Sequence, residues 1–208
     1  MKPAGRGFSL IELMITLAIL GILLALGSSS FGIWITNMKI RTSAEAIQNG
    51  LQFARGEAVR RNAPIGFHLT DSLAAACALS TTTSNWVVSF DNPAGACDSP
   101  PLNEDFSADD PVNNPAPRLL QVRSAGEGSN NTLIAAGQST IIFNGLGRVT
   151  NPNVNPIVIK VPDPGIVNCA SFRCLWVTVT IGGQIRLCDP LLPAAGTDPQ
   201  RCTGTAAG

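Results

Sequence analysis

Apolar residues run almost unbroken from Phe8 to Ile35 and then recur along one side of a helix as far as Ala58. In the first run, FSLIELMITLAILGILLALGSSSFGIWI, Glu12 is the only ionisable residue between Gly7 and Lys39. Residues 13–35 alone would form about 35 Å of helix, enough to cross a bilayer with some tilt. Lys2 and Arg6, in the opening MKPAGRG, place the N-terminus on the cytoplasmic side. In the second stretch Ile40, Ala44, Ile47, Leu51, Ala54 and Ala58 follow at spacings of 4, 3, 4, 3 and 4. Lys39, Arg41, Glu45, Gln48, Arg55, Glu57, Arg60 and Arg61 take the other faces, so the stripe predicts an amphipathic helix packed on its own domain. Pro64 ends it. A continuous helix over 8–61 would be about 80 Å long. Gly27-Ser28-Ser29-Ser30, with Gly32 beyond, weakens helical propensity and marks an expected flexible point.

Past Pro64 the pattern changes to short apolar runs separated by Gly, Pro and Asn. Strands are predicted over 65–69, 86–90, 118–123, 139–144, 156–161, 175–181 and 184–188, several of them alternating or rich in β-branched residues. Ile181-Gly182-Gly183-Gln184 puts two glycines between apolar runs, a hairpin signal. Residues 91–117 are rich in Pro, Asn and Asp and predict a long exposed loop. The expected fold is α+β: a long N-terminal helix, membrane-spanning over 8–35 and amphipathic over 36–62, packed on an antiparallel sheet domain over 63–208.

Composition narrows the class. With 13% charged and 45% apolar residues, the chain is not globally disordered. A secretory signal peptide is excluded, because the apolar run exceeds a signal core and no small-x-small cleavage site follows it. Net charge is zero but uneven: residues 64–133 hold two arginines against eight acidic residues, giving −6. Residues 134–208 hold five basic against three acidic residues, giving +2, so a polyanion would meet the C-terminal end.

All six cysteines, Cys77, Cys97, Cys169, Cys174, Cys188 and Cys202, lie beyond residue 70. An even number outside the membrane run predicts disulfides in an oxidising compartment. Proximity pairs them as Cys77–Cys97, Cys169–Cys174 and Cys188–Cys202. No C-x-x-C occurs, and the one histidine, His68, completes no Cys/His array, so neither a metal site nor another cofactor is expected.

Gly7-Phe8-Ser9-Leu10-Ile11-Glu12 resembles the prepilin signature of type IV pilins and type II secretion pseudopilins. The resemblance implies that residues 1–7 are a leader, removed between Gly7 and Phe8 by a prepilin peptidase that also N-methylates Phe8. It implies that Glu12 neutralises the α-amino group of a neighbouring subunit, since a carboxylate inside a membrane is costly unless paired. Many pilins carry a proline where this chain has Ser29. The similarity extends through Leu51-Gln52-Phe53-Ala54-Arg55-Gly56-Glu57-Ala58-Val59-Arg60-Arg61 and Ile141-Ile142-Phe143-Asn144-Gly145-Leu146-Gly147-Arg148. A strand pair ending in Leu187-Cys188-Asp189-Pro190 completes a likeness to minor pilins and pseudopilins of the GspH/FimT type. Residues 77–117 match nothing in that pattern. The implied location is the bacterial inner membrane, single-pass with a periplasmic domain, followed by a pilus or pseudopilus built with other pilins or pseudopilins.

Catalytic chemistry is not expected. His68 lies in a strand-like context without partners and reads as structural, and Gly145-Leu146-Gly147 reads as a turn rather than a phosphate loop. Some members of the resembled type capture double-stranded DNA through a Gly-Arg-x-Arg run. Here Gly183-Gln184-Ile185-Arg186 keeps the second arginine only. Arg148, Arg173, Arg186 and Arg201 are the candidate phosphate contacts, provided the fold gathers them. Trp86 and Trp176 could stack on bases, but their strand patterns make both core residues.

Overall fold

The computed structural model describes residues 9–127, 134–153, 157–161, 174–193 and 197–202, without the side chains of 25–30. One helix, α1 (Leu10–Arg61), crosses two compact units, Met1–Thr36 and Asn37–Gly208. In the first unit Ser9 caps the helix: its carbonyl accepts from Leu13 N–H (3.2 Å) and its hydroxyl accepts from Glu12 N–H (3.3 Å). The first is the opening intrahelical bond, and the second satisfies one of the orphan donors of the first turn. The large apolar side chains of residues 10–24 are half or more exposed. Phe31 and Trp34 stack one turn apart, with ring centroids 5.7 Å apart. The helix continues through Gly27-Ser28-Ser29-Ser30, the expected flexible point, because every residue there still adopts helical backbone. Among the described residues no helix is long and apolar enough to cross a membrane, the first stretch of described side chains ending at Leu24.

In the second unit the predicted stripe is the core-facing side. Ile40, Ala44, Ile47, Leu51, Ala54 and Ala58 are all fully buried. Each large aliphatic among them contributes on the order of 2 kcal/mol through apolar area removed from water. They close against two four-stranded antiparallel sheets. The first is ordered β3-β2-β1-β5, from β1 (Ile65–Thr70), β2 (Asn85–Ser89), β3 (Leu119–Arg123) and β5 (Thr140–Phe143). The second is ordered β4-β6-β7-β8, from β4 (Ala135–Ala136), β6 (Ile157–Val161), β7 (Leu175–Val179) and β8 (Ile185–Cys188). Phe67, Trp86 and Phe143 from one sheet and Ile159, Val177 and Val179 from the other join the helix stripe in one core cluster. Gly50 lets the helix approach closely, since a Cβ there would meet the Phe67 ring at 2.8 Å and the Trp86 ring at 3.0 Å.

The seven predicted strands are present within a residue or two at each end. The eighth, β4, has only two residues and no periodicity to announce it. β7 and β8 form the expected hairpin: Thr180 N–H donates to Gln184 O (3.0 Å), and Gly183 takes a left-handed φ of 79°.

Residues 71–117 form a further layer. Cys77 and Cys97 are bonded, Cα atoms 6.0 Å apart, and both pack with Val87 and Leu119 in a small second cluster against Leu73. Val87 is the cross-strand partner of His68, so this cluster lies on the side of the first sheet away from α1. The long loop is largely exposed but pinned. Arg118 donates to both oxygens of Asp91 (2.8 and 2.9 Å), which holds that carboxyl below the usual range. A second bond, Cys188–Cys202, closes residues past β8, Cα atoms 4.9 Å apart. Cys174 is also disulfide-bonded, and Cys169 lies outside the described residues.

Candidate functional site

Gly7 and Phe8 lie outside the described residues. Glu12 stands in the first turn of α1, exposed, with its backbone N–H on the Ser9 cap. A carboxylate in a first turn also meets the positive end of the helix dipole. Ser9-Leu10-Ile11-Glu12 therefore does two jobs: it starts the helix and presents an exposed acid in its first turn.

Three sequence motifs meet at one carbonyl. The loop 144–148 folds as a turn, Gly147 N–H donating to Asn144 O (2.8 Å) and Leu146 N–H to Asn144 Oδ1 (3.1 Å). That turn presents Gly147 O to Arg55 of α1, whose Nε–H donates to it at 3.1 Å. The β7–β8 turn closes from the other side. Val149 N–H donates to Ile181 O (3.0 Å), and a Cβ on Gly183 would stand 1.8 Å from Gly147 O. Only glycine fits there, on both backbone angle and space. Arg55, expected on a helix face away from the buried stripe, is exposed there and is also the donor to this joint.

The candidate cations fall along β8. Arg148 is exposed and sits by the β7–β8 turn, through the Val149–Ile181 bond. Arg186 lies on β8 opposite Thr178 and donates from Nη2 to Pro199 O (3.1 Å). Arg201 bridges Asp189 just past the strand's end. Arg173 lies outside the described residues.

Trp86 is core, 2% exposed, but Trp176 is not. In β7 Leu175, Val177 and Val179 point inward, which turns Trp176 to the outer face of the second sheet. Lys160 of β6, its cross-strand partner, lies with Nζ 5.3 Å from the Trp176 ring centroid. Cross-strand parity puts Arg186 on that same face. Lys160 was missing from the sequence reading, although Ile157, Ile159 and Val161 on alternate positions leave it facing outward.

His68 is buried in β1, with Nδ1 3.1 Å from Thr140 Oγ1. Desolvation pushes its pKa down to about 4. Among the described residues the neutral ring has one hydrogen-bond neighbour, the Thr140 hydroxyl, and its Nε2 is buried without a partner.

A long N-terminal helix packed on antiparallel sheets, behind a basic opening segment and an acid in its first turn, defines the pilin-like class of filament subunit. Comparison with protein families is more particular. Residues 43–190 match the family described as type II transport protein GspH, and residues 3–28 match the prokaryotic N-terminal methylation motif. The chain belongs to the GspH family, whose members are structural subunits of the pilin and pseudopilin kind, anchored in a membrane by the N-terminal helix. Two crystal structures of the type IV minor pilin FimU of Pseudomonas aeruginosa (strain PAO1), in space groups P21 and P65, are similar to it. They share 14% and 13% identity, both at a TM-score of 0.46, covering 71% of this chain and 87% and 90% of theirs. No curated protein matches the chain.

Proposed function

We propose that this protein is a minor type IV pilin of the bacterial inner membrane. It is cut between Gly7 and Phe8 by a prepilin peptidase, N-methylated on Phe8 and built into the pilus through Glu12. It serves in assembly, adhesion or twitching and is not an enzyme. The observation that carries this reading is the run Gly7-Phe8-Ser9-Leu10-Ile11-Glu12 inside the methylation-motif match, on a chain whose remainder is a disulfide-stapled GspH domain. Inside an apolar filament core, a carboxylate within ~4–6 Å of a neighbour's α-amino group offsets desolvation that neither ion could bear alone. Blocking the cut with Gly7→Val should leave the full-length precursor in the membrane and out of filaments. Normal incorporation of that variant would overturn the reading.

A second reading, the minor pseudopilin of a type II secretion system, is favoured by the description of the matching family itself. Deleting the chain separates the two. Loss of surface pili with secretion intact supports the first, and loss of secretion with pili intact supports the second.

Within the pilin reading, the line Arg148, Arg186 and Arg201, with Lys160 on Trp176, supports capture of double-stranded DNA at the second sheet. Phosphate contacts of this kind weaken steeply with salt. Retention of the full chain on immobilised DNA should fall as salt rises and fall further with Arg186→Ala. No retention at low salt removes DNA capture and leaves the pilin reading standing.

A further inference from the structure

One cavity of the second unit is polar throughout, yet none of its lining side chains carries a charge. It holds about 340 Å³ and is lined by Thr81, Gln138, Ser139, Thr140, Asn151 and Asn153. It lies apart from the joint and from the candidate cations. Thr140 is the first residue of β5, whereas the joint forms beyond the strand's far end, at residues 144–148. In the second sheet the cavity neighbours β4, the edge opposite β8 and its arginines.

One buried amide ties its walls together. Gln138, 7% exposed, donates to Thr140 O (2.6 Å) and Asn151 O (3.1 Å) and accepts from Asn153 N–H (2.9 Å). Asn151 donates to Thr140 O (2.9 Å) and accepts from Ile142 N–H (2.7 Å). Thr81 is fixed from the other side, its carbonyl accepting from Ala136 N–H (2.9 Å). Behind Thr140 lies the His68 ring, kept neutral by burial. With these bonds made, the side chains of Thr81, Ser139 and Asn153 have no hydrogen-bond partner among the described residues. The backbone is set, and three polar groups on it are left uncommitted.

Hydroxyls and carboxamides each donate and accept, so this set matches a ligand whose own groups do both. A charged ligand would lose water here and meet no counter-charge among the lining residues. The larger cavity at Arg61, Phe90 and Arg118, about 460 Å³, is the opposite case, its cations already matched by Glu57, Glu104, Asp91 and Asp109. We propose that the neutral cavity binds an uncharged sugar unit through Thr81, Ser139 and Asn153. Its volume stands at the small end of ligand pockets. No aromatic ring lines it, so stacking adds nothing, and a hexose of about 12 non-hydrogen atoms binds with a Kd on the order of 1 mM. The site stands on the second unit alone and is independent of the filament-subunit reading.

The test uses the full chain in a detergent without a sugar headgroup. Saturation-transfer NMR is run with glucose, galactose and N-acetylglucosamine at about 5 mM, beside galacturonate and glucosamine as charged counterparts. Transfer to at least one neutral sugar, and little to the charged pair, is the expected result. Thr81→Ala combined with Asn153→Ala should lower that transfer about fivefold or more while the urea midpoint stays unchanged. Asn153→Asp keeps the shape, adds a charge and should move the preference toward glucosamine. No transfer to any neutral sugar overturns the site, and so does transfer that both variants leave intact. Equal or stronger transfer from the unaltered chain to galacturonate or glucosamine overturns the neutral-ligand chemistry.

Discussion

β1 of the first sheet is buried on both sides along its whole length, whereas β6 and β7 of the second alternate between buried and half-buried positions. Each sheet gives one face to the helix stripe. The difference lies in what meets the other face. On the first sheet it is a disulfide-stapled layer with its own small cluster, on the face where His68 Nε2 and Thr70 Oγ1 are buried without hydrogen-bond partners among the described residues. Each such group costs on the order of 1–3 kcal/mol, so that layer must be firmly held. The second sheet keeps Lys160, Trp176 and Arg186 on its outer face, with a short disulfide-closed segment beside Arg186. The same α+β frame thus has one sheet committed to stability and one whose cations stay within reach of a ligand.

The contrast can be broken from the first sheet. Trp86→Ala removes a fully packed ring and should cost about 3–5 kcal/mol, read as a lowered urea midpoint of the detergent-solubilised chain. Opening the staple with Cys77→Ser should cost about 3 kcal/mol by chain entropy and expose residues 71–117 to limited proteolysis. A cost near zero would show that the layer holds itself.

His68 sharpens the same point through pH. Its pKa is pushed below the ordinary ~6.5 to about 4, so the unfolded chain binds the proton more readily than the folded one. Stability is therefore complete above about pH 6.5 and falls as the pH drops toward 4. The loss reaches at most about 3 kcal/mol, and His68→Gln should flatten it. The smallest effect belongs to the second sheet. Trp176→Ala should cost only about 1 kcal/mol, because the residue is only partly buried, while lowering retention on DNA. Equal losses for the two tryptophans would erase the contrast.

The helix stripe was legible because six small or aliphatic residues kept a 3.6 period and all six are buried. The hairpin was legible through its paired glycines, and the Cys77–Cys97 and Cys188–Cys202 bonds through proximity. Trp176 was misread as core because a large apolar ring between Leu175 and Val177 hides the parity; Thr178, two positions on, carried the signal. The stapled layer was not legible. Gly66, His68 and Thr70 alternate with Ile65, Phe67 and Leu69 as though facing water, and only a distant segment folding back covers them. Arg55 escaped for a related reason: its acceptor, Gly147 O, lies 92 positions along the chain and is a backbone atom that no residue pattern advertises.

Both described disulfides join cysteines that are consecutive in the chain, Cys77 with Cys97 and Cys188 with Cys202. If the N-terminus stays on the cytoplasmic side and the domain beyond α1 is threaded across from its helix end, the thiols emerge in that order. Each of these partners is then the next thiol to arrive after its mate, so oxidation can follow translocation without an exchange step. The stapled layer over the first sheet can close while the second sheet is still on the far side of the membrane.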